Sequence, residues 1–159
     1  KHFDKALSQE PNYLFAKDLP LVPIYDFEVQ QAVSSMPLAF TQHSSIMQLC
    51  GVLGLEKTGN LFVDPNGRWD GEFVPAVFRA YPFAMGVLND KTLTLLFREK
   101  SKLIVERGLG DPFFNVDGTD GIIIKTKIEL LSRISKSKII GEQACSLLDE
   151  FNLFIPPRD

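Results

Sequence analysis

Residues 64–82 read DPNGRWDGEFVPAVFRAYP, and this run decides how the chain divides into turns, strands and helices. It holds the only tryptophan, Trp69, with Arg68 and Arg79 and the three acids Asp64, Asp70 and Glu72. Asp64-Pro65-Asn66-Gly67 predicts a tight turn, because proline presets φ at about −65° and glycine accepts a positive φ. A hairpin is therefore expected over 60–73. Pro75 suits the first turn of a short helix over 75–80, where its missing N–H costs nothing. Pro82 stops that helix, since the residue before a proline is pushed out of the α region.

Towards the N-terminus, LPLVPIY (19–25) has the β-branched and proline content of an edge or leading strand. Asp26 can cap a helix carrying Phe27, Val29, Ala32, Val33 and Met36 at near-helical spacing, closed by Pro37. LAFTQ (38–42) and SIMQLCGVLGL (45–55) follow as strands, while residues 1–18 suggest an arm lying on the domain. Towards the C-terminus, FAMGVLND and KTLTLLFRE predict a second hairpin around Asn89-Asp90, and 101–118 is extended and turn-rich. From Thr119, Ile124, Ile128 and Leu131 recur beside Ile123, Leu130 and Ile134 on one helical face. A second helix is expected from about Lys138 to Phe151, with Ile140, Ala144, Leu147, Leu148 and Phe151 inward. The order gives an α+β fold: antiparallel β-hairpins with short helices, followed by a C-terminal helical hairpin. Residues 1–118 form a mainly β core, and 119–159 a helical segment of the same domain.

Composition bounds the chemistry. The 159 residues are 45% hydrophobic and include 13 phenylalanines, enough for a packed interior. A net charge of −3 supplies no electrostatic footprint for nucleic acid. No apolar run nears the roughly 20 residues that span a bilayer, and no signal peptide is visible, so a cytoplasmic location is expected. Cys50 and Cys145 lie far apart in apolar settings, which favours two buried thiols over one disulfide. Neither has a second Cys or His at ligand spacing, so no metal is expected.

Catalytic signatures are absent: no glycine-rich phosphate loop, no Gly-x-Ser-x-Gly, no His-Glu-x-x-His and no Cys-x-x-Cys. His2 lies in the N-terminal arm and His43 in a polar turn. Asp70 and Glu72 would share a strand face if the hairpin pairs, giving two carboxylates for acid/base work or a hard cation. Alternatively Asp64 bonds its own turn and the others are solvated or paired with Arg68 or Arg79. Trp69 with Arg68, Arg79 and Tyr81 suggests a stacking and cation–π face; otherwise Trp69 packs under the short helix. GDPFFNVDG (110–118) lacks the Asp-x-Asp-x-Asp spacing of a calcium loop, and Phe113-Phe114 reads as core.

The segment NLFVDPNGRWDGEFVPAVFRAYPFAMG (60–86) resembles the signature of the bacterial SapC-like family, named for an S-layer-associated protein. The elements LVPI…MPLAFT and GDPFFNVDG followed by a helix fit its layout, so the resemblance runs from about Asn12 to Phe154. Gly67, Arg68, Trp69, Gly71, Pro75, Arg79, Tyr81, Pro82 and Phe83 match as a fingerprint. Ala80 stands where the family often carries a second basic residue. The resemblance implies a non-catalytic accessory or binding protein without cofactor, whose partner is a surface-layer or other exported protein, and further sequence beyond EFNLFIPPRD. The alternative is a small-molecule-binding protein or unrecognised enzyme with a pocket around Arg68, Trp69, Asp70, Glu72, Arg79 and Tyr81.

Overall fold

The computed structural model describes residues 2–43, 46–55, 58–87 and 93–154. In chain order the elements are β1 (Lys5–Leu7), β2 (Leu21–Pro23), α1 (Val29–Ser35), β3 (Leu38–His43) and β4 (Ile46–Val52). Then come α2 (Ala76–Ala80), β5 (Phe83–Val87), β6 (Leu93–Phe97), β7 (Ile104–Glu106), β8 (Asp111–Pro112) and α3 (Ile122–Glu150). All described strand pairs are antiparallel, in sheets ordered β7-β1-β8, β2-β4-β3 and β5-β6. The fold is α+β, as expected.

Two apolar clusters organise it. The first joins β2, α1 and α2 through Val22, Ile24, Ala32, Met36, Leu53, Phe73 and Phe78. The second joins β1, β5 and α3 through Leu7, Phe83, Phe113, Ile124 and Leu131. Helix α2 bridges them, since its Phe78 belongs to the first cluster and its Ala80 to the second. A five-residue helix is stable only through such contacts.

Several local expectations change. Residues 5–7 are the central strand of a sheet and not an arm laid on the surface. His2 packs its ring edge-on against Phe97, 4.9 Å between centroids. His43 ends β3 opposite Ile46. Asp26 does not cap the first helix: the turn opens at Tyr25, whose N–H donates to Glu28 Oε1 at 3.2 Å. Asp26 instead accepts from the Ser137 hydroxyl, and its own N–H donates to Ser137 Oγ at 3.1 Å, which ties it to α3. The 60–73 hairpin shrinks to its turn and one bridge, Val63 with Trp69. The chain bends after Asp70, so Asp70 and Glu72 do not share a strand face. Strands β5 and β6 pair as expected, and their Asn89-Asp90 turn lies outside the described residues.

The largest correction concerns the C-terminus, where one 29-residue helix replaces the helical hairpin. Ser135-Lys136-Ser137-Lys138, between the two expected helices, holds no proline or glycine to break the backbone ladder. Ser135 donates to Leu131 O at 2.9 Å, and Ser137 is buried against Asp26, so these polar residues are satisfied within a continuing helix.

Candidate functional site

The 64–82 segment is held by its own backbone needs. Asp64 Oδ1 accepts from the N–H groups of Asn66 (2.9 Å) and Arg68 (2.8 Å). Gly67 has φ of 86°, and a side chain there would meet Asn12 at 2.6 Å, so the turn requires glycine for conformation and for space. The carbonyl of Gly67 accepts from Tyr13 N–H at 2.8 Å, fixing the turn to the N-terminal region.

Trp69 is turned into the first cluster. Its ring stacks on Phe62 (5.2 Å, 14°) and meets Phe78 of α2 edge-on (5.7 Å, 66°). Its Nε1–H donates to Phe73 O at 2.9 Å. The indole is thus the layer under the short helix. Trp69→Ala is expected to cost about 2–3 kcal/mol, from lost aromatic burial and an orphaned carbonyl. Arg68→Ala, at an exposed position, is expected to stay within about 0.5 kcal/mol. Urea unfolding of the two variants against the parent checks the contrast.

Glu28 was not singled out from the sequence, yet it is the most consequential charge in the fold. It is 1% exposed. Its Oε2 accepts from Ala76 N–H at the start of α2 (2.8 Å), and its Oε1 from Tyr25 N–H. Arg79 Nη2 stands 3.5 Å from Oε2, while Arg79 Nε donates to Val74 O at 3.0 Å. Burial pushes the Glu28 carboxyl above its ordinary value; the two N–H donors and Arg79 oppose that rise without cancelling it. A glutamate three residues after a turn residue was the available signal. Its acceptor role across 48 residues to Ala76 has no local trace.

Lys127 of α3 completes this corner by donating from Nζ to the Arg79 carbonyl. Burial, and then the Arg79 charge, pull its pKa below that of an ordinary lysine. Arg79 therefore binds through guanidinium and backbone alike, joining the turn before α1 to α2 and α3.

The six residues singled out in the sequence are dispersed. Glu72 and Arg79 line one recess with Gln30, Gln31 and Ser34. Tyr81 stacks on Phe15 (3.7 Å, 13°) and lines a different recess. Arg68 and Asp70 are exposed, and among the described residues neither forms an ion pair. Asp117 of the turn-rich stretch serves its own turn, accepting from Thr119 N–H (2.9 Å) and Oγ1–H (2.7 Å). Cys50 and Cys145 are unpaired buried thiols.

An exposed apolar stripe lies elsewhere, on the second half of α3 and the residue that follows it. Ile140, Leu147 and Phe151 are 50%, 54% and 72% exposed, and Ala144 between them is exposed too. Their spacing of four, three and four is a helical stripe. Leu131 marks the buried face, and nine residues further on, at about 100° per residue, Ile140 has rotated about 180° from it. One continuous helix therefore cannot bury both stripes. Ser137, Gly141, Cys145 and Leu148, with Ile140 and Ala144 at the near edge of the stripe, line the α3 side of a recess beside β4. Alongside, Phe40, Ile46, Leu49 and Ile140 help line an apolar groove of about 350 Å³. Among the described residues no helix is long and apolar enough to cross a membrane.

No curated protein and no solved structure matches the chain. The SapC family model matches residues 1–158, essentially from end to end. The chain belongs to the SapC family.

Proposed function

We propose that this protein is a non-catalytic accessory protein that binds a segment of another polypeptide along α3. The observation that carries this reading is the Ile140/Ala144/Leu147/Phe151 stripe, which the helix phase turns away from the core. An apolar stripe beside a groove is the surface that an amphipathic helix of a partner covers. The partner class, a surface-layer or other exported protein, rests on the family resemblance. A cytoplasmic location is supported by two buried thiols left unpaired, as in a reducing compartment.

Ile140→Asp combined with Leu147→Asp tests the reading. Both side chains are at least half exposed, so the fold is expected to hold, with thermal midpoints within a few degrees of the parent. Partner recovery in co-purification from the source cells is expected to fall about tenfold or more, since charges placed in an apolar interface are costly. Undiminished recovery of the same partner by the double variant contradicts the proposal. Loss only of self-association, read by sedimentation, reassigns the stripe to contacts between copies.

A further inference from the structure

A second concave surface is lined by Tyr81 of the 64–82 segment and by the turn at 98–103, and its chemistry differs from that of the α3 stripe. Its volume is about 680 Å³, within the range of small-molecule sites. The floor is apolar: Leu14, Leu103 and the stacked pair Phe15 and Tyr81. The rim carries Arg98, Lys100 and Lys102 against one acid, Glu99. Among the described residues, none of the three cations pairs with a carboxylate.

The rim is built rather than loose. Arg98 N–H donates to Pro82 O at 3.0 Å, fastening the turn to the residue after Tyr81. Ser101, buried in that turn, donates its N–H to Arg98 O at 2.9 Å, and its Oγ accepts from Leu103 N–H at 3.3 Å. Asn12 is fixed on the other side, accepting from Leu14 N–H at 3.1 Å and donating to Asn66 O at 3.2 Å. The backbone of the turn is thus fixed, and it presents three exposed cations beside an aromatic floor in a chain whose net charge is −3. Overall charge does not account for that local excess.

We infer that this recess binds a small organic anion, a carboxylate or sulfonate with an apolar body. The body lies on Phe15, Tyr81, Leu14 and Leu103, and the acid group lies among Arg98, Lys100 and Lys102. Apolar contact supplies most of the affinity, and the cations select for negative charge. The site is independent of the α3 stripe, so either assignment can fail alone.

The test uses 8-anilinonaphthalene-1-sulfonate on the whole chain, with amide NMR shifts to locate it and fluorescence titration to measure it. Shifts are expected at Leu14, Phe15, Tyr81 and residues 98–103. The neutral N-phenyl-1-naphthylamine is expected to bind there about tenfold more weakly. Arg98→Gln with Lys102→Gln, two exposed positions, is expected to weaken the sulfonate about tenfold while leaving the neutral probe unchanged. Shifts confined to α3, equal binding of the two probes at the recess, or an unaffected double variant each overturn the inference. Preferential binding of an oligoglutamate peptide over the sulfonate also overturns it, by making the surface a site for acidic polypeptide.

Discussion

Glu28→Ala is expected to lower folding stability by about 3–5 kcal/mol, more than any other single charge removal in this chain. The loss does not come chiefly from the ion pair. The Arg79 side chain is 45% exposed, so once Glu28 is gone its guanidinium is solvated and the pair itself counts for little. The cost lies in Ala76 N–H and Tyr25 N–H, which lose the carboxylate that satisfies them at the junction of α1 and α2. A buried N–H left without an acceptor costs about 1–3 kcal/mol, and here there are two. Glu28→Gln keeps one acceptor oxygen and is expected to cost about 1–2 kcal/mol.

The pH dependence separates the charge from the hydrogen bonds. Burial raises the Glu28 carboxyl above the 4.5 of an ordinary glutamate, so the folded state holds this proton more tightly than the unfolded state. Its contribution to stability is therefore greatest below pH 4.5. It falls as pH rises from there through the raised folded value, and it is flat above. Relative to Glu28→Gln, the advantage of the parent should narrow through that window. A gap that widens instead with rising pH contradicts the burial account. Denaturant unfolding at several pH values measures it.

Phe113→Ala is expected to cost about 3–5 kcal/mol, the range for truncating a buried phenylalanine. Phe113 is 1% exposed and touches both Phe83 (5.4 Å) and Phe97 (5.3 Å) at the centre of the second cluster. That cluster holds β1, the β5–β6 hairpin and α3 together, so a cavity there loosens three elements at once. Phe113→Leu, which keeps most of the volume, should recover roughly half of the loss. If Phe113→Ala unfolds at the same urea concentration as the parent, the second cluster is not a core.

How much of this was legible in the sequence depended on the range of the interaction. The Asp64–Gly67 turn and the short helix between Pro75 and Pro82 were legible because proline, glycine and aspartate act within a few residues. The β5–β6 hairpin was legible for the same reason, and β3 and β4 were legible as strands although their pairing was not read. Strand β1 was not, since three residues carry too little alternation and its partners lie about 100 residues away. Glu28 was missed because its bond to Ala76 is equally non-local. Ser135–Lys138 looked like a break because the apolar periodicity changes phase there. In the fold that shift marks a change of exposed face within one helix.

The candidate site shows the same division. The crowding of special residues at 64–82 is explained by a turn, a helix start and the packing of Trp69, while Glu72 and Arg79 line one recess and Tyr81 another. The apolar residues of the second half of α3 were noticed but placed inward, a placement that only a helical hairpin would allow.

On the proposed reading α3, and not the corner at Arg68 and Trp69, meets the partner. A photo-crosslinking residue placed at Leu147 in one variant and at Arg68 in another, expressed in the source cells, tests it most directly. An adduct with a different polypeptide is expected from position 147 and none from position 68; an adduct from 68 with none from 147 overturns the proposal.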